Sequence, residues 1–203
     1  HAAFHPWSDT ASPAVHSFLF GTKLTNITRQ MRQRDVDAAV QAISTSVADW
    51  SGGTLIGSNL HLFNRDWSRR VLTGGASVIL ITDGLDRTPD GDISALQRLH
   101  FEMERLHKSA YNLIWLNPLL RFDGFAPKSH SVRTMIQQVD QFLPIHSLQA
   151  MTDLTTSLAK MQTRRDTKLA EWQAVARRAG LAAGLVPAHV QEPAYPQEKG
   201  HTA

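Results

Sequence analysis

The sequence predicts an α/β domain: a doubly wound, mainly parallel sheet with helices on both faces, of the Rossmann-like kind. Two observations carry this. Short apolar runs alternate with longer amphipathic stretches, the pattern of strands joined by helical crossovers. The clearest run, Ser77 to Thr82 (SVILIT), is apolar without alternation, as expected of a strand buried on both faces of a parallel sheet.

The elements follow in order. Val15 to Phe20 (VHSFLF) is a β-rich run closed by Gly21, and Thr25 to Thr28 is a weaker extended segment. Asp35 caps an amphipathic helix in which Val36, Ala39, Val40, Ile43 and Val47 recur at helical spacing. After the Ser51-Gly52-Gly53 turn, a second helix carries Ile56, Leu60, Phe63, Trp67 and Val71 on one face and stops at Gly74-Gly75. The SVILIT strand ends at Asp83-Gly84. A helix over 92–109 has Ile93, Leu96, Leu99, Met103 and Leu106 at helical spacing, and Asn112 to Leu116 (NLIWL) is a strand ended by Asn117-Pro118. A helix over 130–142 and a short edge strand from Pro144 to Ser147 complete the alternation. A long helix then runs from Thr152 to about Ala179, with Leu154, Leu158, Met161, Leu169, Trp172 and Val175 toward one side and Gly180 as its cap. Its single apolar face favours packing on its own sheet. The domain therefore spans 15–150, after an irregular segment 1–14. The helix occupies 151–180, and a Pro-rich polar segment 181–203 is expected to be disordered.

Composition excludes several functions. With 203 residues there is room for one domain with a substantial core. The net charge of +3 is mildly basic but lacks the clustering of a nucleic-acid binder. The absence of cysteine removes disulfides, iron–sulfur clusters and thiolate zinc sites and fits a reducing cytoplasm. No apolar run is long enough to span a bilayer. The opening HAAFHPWSDTASP has neither an initiator Met nor a signal-like stretch.

In doubly wound sheets ligands bind at the carboxyl ends of the strands. Two polar residues fall there. Asp83 directly follows SVILIT, and Thr54 lies in the glycine turn WSGGTLIG leading into a helix. A carboxylate and a hydroxyl are hard ligands suited to Mg²⁺. Each also has a plainer reading, Thr54 as a helix N-cap and Asp83 as a turn-forming Asp-Gly. Arg121, in NPLLRFDGF after a strand end, is placed either to meet an acidic partner or to pair with Asp123. His100, Glu104 and His107 share a helix face that resembles a metal site, a pattern common on amphipathic helices. The pairs Arg69-Arg70, Arg164-Arg165 and Arg177-Arg178 read as solvated helix faces. Asn26-Ile27-Thr28 is a chance glycosylation sequon. Neither a nucleophile elbow, a Walker A loop nor a G-x-G-x-x-G fingerprint is present.

The segments FLFGTKLTNITRQ, DWSGGTLIGSNLHLFNRDWSRRVL, ILITDGLD, EMERLHKSAYNLIWLNPLLRFDGF and IHSLQAM, in that order, resemble the von Willebrand factor A (VWA) family of CoxE-like proteins over about residues 15–155. The resemblance implies a protein-binding module and not an enzyme. It implies a divalent ion at a metal-ion-dependent adhesion site, with Thr54 as the second-loop threonine and Asp83 as the third-loop aspartate. It also implies a cytoplasmic adaptor role beside a MoxR-type AAA+ ATPase, in maturation of a metalloenzyme such as a molybdenum-containing carbon monoxide dehydrogenase. One part of the family pattern is lacking, the first strand with its Asp-x-Ser-x-Ser loop; Asp9 to Pro13 is the nearest string and lacks the spacing. In the family that strand is central, so its loss is expected to leave a gap between VHSFLF and SVILIT, with exposed apolar faces and unpaired backbone. The chain is thus expected to be a truncated or divergent product or a fragment, with Mg²⁺ held weakly. A Rossmann-like small-molecule enzyme and a non-functional fragment are the competing readings.

Overall fold

Three strands, β3 (Ser77–Ile81), β4 (Asn112–Asn117) and β5 (Gln141–Pro144), pair in parallel in the order β3-β4-β5. The structure is a computed structural model that describes residues 15–46, 53–87, 92–122, 124–145 and 167–182. Helix α4 (Ile93–Ser109) joins β3 to β4, and α5 (His130–Ile136) joins β4 to β5. Both crossovers step the same way across the sheet, so crossovers of one hand put both helices on one face. Local chemistry starts each helix. Asp92 Oδ1 accepts the Ala95 N–H at 3.0 Å, and Ser129 Oγ accepts the Val132 N–H at 3.2 Å. The parallel strands and crossover helices are those of the α/β class the sequence predicts.

The core lies between this sheet and its helices. Leu80, Leu113, Trp115 and Phe142 from the strands meet Leu99, Met103 and Leu106 of α4 and Val132, Met135 and Ile136 of α5. Helix α6 (Thr167–Ala182) joins them through Leu169 and Ala176. The Gln173 side chain donates to the carbonyls of Ile136 and Val139, satisfying backbone acceptors at and just beyond the end of α5. Val175, expected on the apolar side, is exposed instead. From Leu169 the helical period returns to the core side at Ala176, and Val175 lies a full residue's rotation away. The residues 151–166 of the expected long helix, and the segments 1–14 and 183–203, lie outside the described residues.

The N-terminal strands form a separate sheet. β1 (Phe18–Phe20) and β2 (Leu24–Asn26) are an antiparallel hairpin. Asn26 Oδ1 takes the Thr28 N–H at 2.9 Å, and Thr28 Oγ1 takes the Ser17 N–H at 3.0 Å, so the sequon residues close the base of the hairpin. Phe18 packs edge-on to Phe63 and Trp67. The second predicted helix is broken in two, α2 (Ile56–Asp66) and α3 (Ser68–Val71). Ser68 Oγ donates back to the Asn64 carbonyl at 2.7 Å, a bond that bends helices, and Trp67 leaves the helical path to meet Phe18.

β3 departs from the expectation of a strand buried on both faces. Leu80 is buried, but Ile79 and Ile81 are 42% and 49% exposed. Ile79 and Ile81 lie on the face opposite Leu80, and β3 is an edge among the described residues, bonded only to β4, so they are flanked on one side alone. The Thr82 N–H reaches the Leu116 carbonyl and the Tyr111 N–H reaches the Ala76 carbonyl. Even-numbered residues therefore bond toward β4, and the backbone groups of Ile79 and Ile81 point to the open side. On α1 (Val36–Ser46) the apolar stripe is likewise uncovered, with Ala39 buried while Val36 and Val40 are exposed.

β5 lies three residues earlier than the expected edge strand, and α5 ends well before 142. The Asp140 N–H donates to the Leu113 carbonyl at 2.9 Å while Asp140 Oδ2 accepts the Leu113 N–H at 2.7 Å. That reciprocal pair draws the chain alongside β4 and stops the helix. Among the described residues no helix is long and apolar enough to cross a membrane.

Candidate functional site

The loop leaving β3 is held by side chains from two other elements. Trp115 Nε1 donates to the Thr82 carbonyl at 2.9 Å, Asn117 Nδ2 to the Asp83 carbonyl at 3.0 Å, and Ser131 Oγ to the Gly84 carbonyl at 2.7 Å. Three successive carbonyls are thus fixed by β4 and α5. Trp115 is fully buried, so its indole N–H needs an acceptor there. Gly84 sits at φ +80° directly beneath the indole, in a space that only hydrogen fits. Asp83 is half-buried, and its Oδ1 accepts the Leu85 N–H at 2.9 Å, the turn role the Asp-Gly pair suggested. Its second oxygen makes no hydrogen bond or ion pair among the described residues.

Thr54 stands on the neighbouring loop. Its carbonyl accepts the Arg87 N–H at 2.9 Å, and the Gly57 N–H at the start of α2 donates to Asp86 Oδ2 at 3.4 Å. The Thr54 and Asp83 loops are therefore stitched together at the carboxyl edge of the sheet. The Gly21 carbonyl of the hairpin turn joins them, accepting from Leu55 N at 3.1 Å and Asn59 Nδ2 at 2.8 Å. Thr54 does not cap α2: the cap residue is Leu55, without a side-chain bond, and the anion at the helix N-terminus is Asp86. The Thr54 hydroxyl makes no hydrogen bond among the described residues.

A divalent ion would find one unspent carboxylate oxygen and one hydroxyl here. Mg²⁺ requires six oxygens in an octahedron. Among the described residues no group of three acidic or histidine side chains converges anywhere. Asp86, the nearest further carboxylate in sequence, is turned to the α2 amide. The described donor set does not fit a complete metal site.

Arg121 ends the 3-10 turn Pro118–Arg121 that follows β4. It is exposed, with its guanidinium 4.7 Å above the Phe122 ring; Asp123 lies outside the described residues. The turn is tied to the Asp83 loop by one side chain, because Asn117 Oδ1 accepts the Leu119 N–H at 2.8 Å while its amide holds the Asp83 carbonyl.

The His100, Glu104 and His107 face forms no site. Lys108 pairs with Glu104 at 2.6 Å and Asp140 with His107 at 3.1 Å. Burial pushes the His100 ring below the usual histidine range, against an opposing pull from Glu104. Arg69, Arg70, Arg177 and Arg178 are exposed, as solvated faces are, and Arg164-Arg165 lies outside the described residues.

A buried cluster escaped the sequence reading. Glu102 of α4 is fully buried and accepts from Asn64 Nδ2 at 2.6 Å, His61 Nδ1 at 2.9 Å and Arg105 Nη1 at 3.3 Å. It pins α2, and with it the Thr54 loop, onto α4. No local signal distinguishes it from a solvated glutamate; only its place on the apolar side, beside Leu99, Met103 and Leu106, hints at burial. Trp115, Asn117, Ser131 and Asp86 were also missed as parts of the edge.

A family model described as VWA domain containing CoxE-like protein matches residues 4–151. No curated protein and no solved structure matches the chain.

Proposed function

The chain belongs to the family of VWA domain-containing CoxE-like proteins, and on that footing we propose that it is an adaptor for a MoxR-type AAA+ ATPase, acting in the cytoplasm in maturation of a metalloenzyme such as a molybdenum-containing carbon monoxide dehydrogenase. VWA domains are in general interaction modules and typically bind a divalent ion. The observation that carries the reading is the stitched edge: Thr54 and Asp83 stand on two bonded loops, each with an oxygen unspent within the described protein. Arg121, on the turn tied to the same edge, adds an exposed cation for an acidic partner surface.

Any Mg²⁺ at this edge takes most of its ligands from water and binds weakly, so the partner meets the edge itself more than a metal. The uncovered Ile79 and Ile81 favour a second reading, a non-functional piece of such a domain. A pull-down against a MoxR-type AAA+ ATPase, run beside a thermal-shift screen of nucleotides, separates these. Capture of the ATPase is expected; nucleotide stabilisation without capture would instead mark a Rossmann-like enzyme, and neither result would mark a fragment.

A further inference from the structure

We infer that Asn117 is the positioning residue that fixes the Asp83 loop and the Arg121 turn as one docking surface; this rests on the reading that both residues face a partner. Asn117 is the last residue of β4 and is fully buried. Its two amide atoms serve two different segments. The NH₂ group donates to the Asp83 carbonyl at 3.0 Å, and the oxygen accepts the Leu119 N–H at 2.8 Å. The first partner belongs to the residue that carries the candidate carboxylate, the second to the turn that ends in Arg121.

The chemistry selects the residue type. A half-buried carbonyl and a half-buried N–H are both met from one short, fully buried side chain, which requires a donor and an acceptor at its tip. A carboxylate cannot donate, and an aliphatic side chain would leave both backbone groups unsatisfied. Neither bond belongs to the β3–β4 ladder. Their loss frees two loops relative to one another without unpairing the sheet. Ser131 acts on one loop alone, holding the Gly84 carbonyl at 2.7 Å from α5. The edge is thereby preformed, and the partner meets it without ordering it first.

Two variants test this, Asn117→Leu, of similar size, and Ser131→Ala, with amide exchange measured on the free chain and affinity measured for a MoxR-type AAA+ ATPase. In Asn117→Leu the Leu85 amide, which reports the Asp83 carboxylate, should exchange roughly threefold to tenfold faster, the size of one net hydrogen bond. The Leu119 amide should also quicken, while the ladder amides of Trp115 and Leu116 keep their wild-type rates. Ser131→Ala should quicken Leu85 and leave Leu119 alone, and it reports on the loop should Asn117→Leu fail to fold. ATPase affinity should fall in both variants, further in Asn117→Leu. Unchanged Leu85 exchange in the variants, or quickened exchange with undiminished ATPase affinity, overturns the inference. A wild-type chain that binds no ATPase would instead sink the adaptor reading, and the exchange rates would still decide whether Asn117 positions the loops.

Discussion

Replacing Gly84 by alanine tests how tightly the Asp83 loop is built into the core. A Cβ at this position would stand 2.6 Å from Trp115 Cζ2, 2.9 Å from its Cη2 and 2.9 Å from Val132 Cγ2. The indole cannot swing aside, because its N–H is bonded to the Thr82 carbonyl and its ring is packed 4.5 Å from Phe142. Two costs add. The φ of +80° costs an L-residue about 1–2 kcal/mol. Forcing a methyl into a closed core adds about 1–3 kcal/mol. Gly53→Ala is the matched control. Its φ is +75°, but the nearest atom is the Cδ of the exposed Arg87 at 2.8 Å, part of a long surface side chain rather than a clamped ring. It should therefore lose only the backbone share of about 1–2 kcal/mol. Urea denaturation followed by tryptophan fluorescence gives both values, with the slope unchanged if the variants remain two-state. If Gly84→Ala costs no more than Gly53→Ala, the loop is not clamped beneath Trp115 and the edge is not preformed.

The remaining predictions concern the buried ion cluster, the open strand and the metal. Glu102→Ala removes the buried carboxylate that accepts from Asn64, His61 and Arg105 between α2 and α4 and should cost about 3–5 kcal/mol, with Glu102→Gln costing less, by denaturation; a loss below about 1 kcal/mol would show that the cluster is not what pins α2 to α4. Ile79→Lys puts a charge on the uncovered edge of β3 and should reduce binding of an apolar dye and self-association, while stability changes by less than about 1 kcal/mol. Equal dye binding by the variant would place the exposed apolar surface elsewhere. Calorimetry with Mg²⁺ or Mn²⁺ should give little or no heat of binding, and tight binding abolished by Asp83→Ala would contradict the incomplete donor set.

The sequence carried the α/β class because strands and helices announce themselves locally. β3 and β4 are apolar runs, and Asp35 before α1 is a visible cap whose Oδ1 accepts the Ala38 N–H. It also carried the edge, since Thr54 and Asp83 follow a glycine turn and a strand end. What it missed depends on distant partners. The side chains on the Thr82, Asp83 and Gly84 carbonyls come from 33, 34 and 47 residues away. Asn117 read only as a strand terminator before Pro118, though an asparagine ending a buried strand was a signal that its amide has work nearby. Asp86 carried no signal of its own in the sequence, because its hold on the α2 amide spans 29 residues. The misplaced β5 has another cause: Val139 and Phe142 continue the spacing of α5, and only the pairing of Asp140 with Leu113 breaks the helix.

The proposed adaptor role places protein docking at the carboxyl edge carrying Asp83. Titrating a MoxR-type AAA+ ATPase against the immobilised chain, as wild type and as Asp83→Ala, is the sharpest test of that placement. The wild type should bind saturably and the variant at least tenfold more weakly, a loss of about 1.4 kcal/mol, with both chains remaining folded. Equal affinity for the two would contradict it.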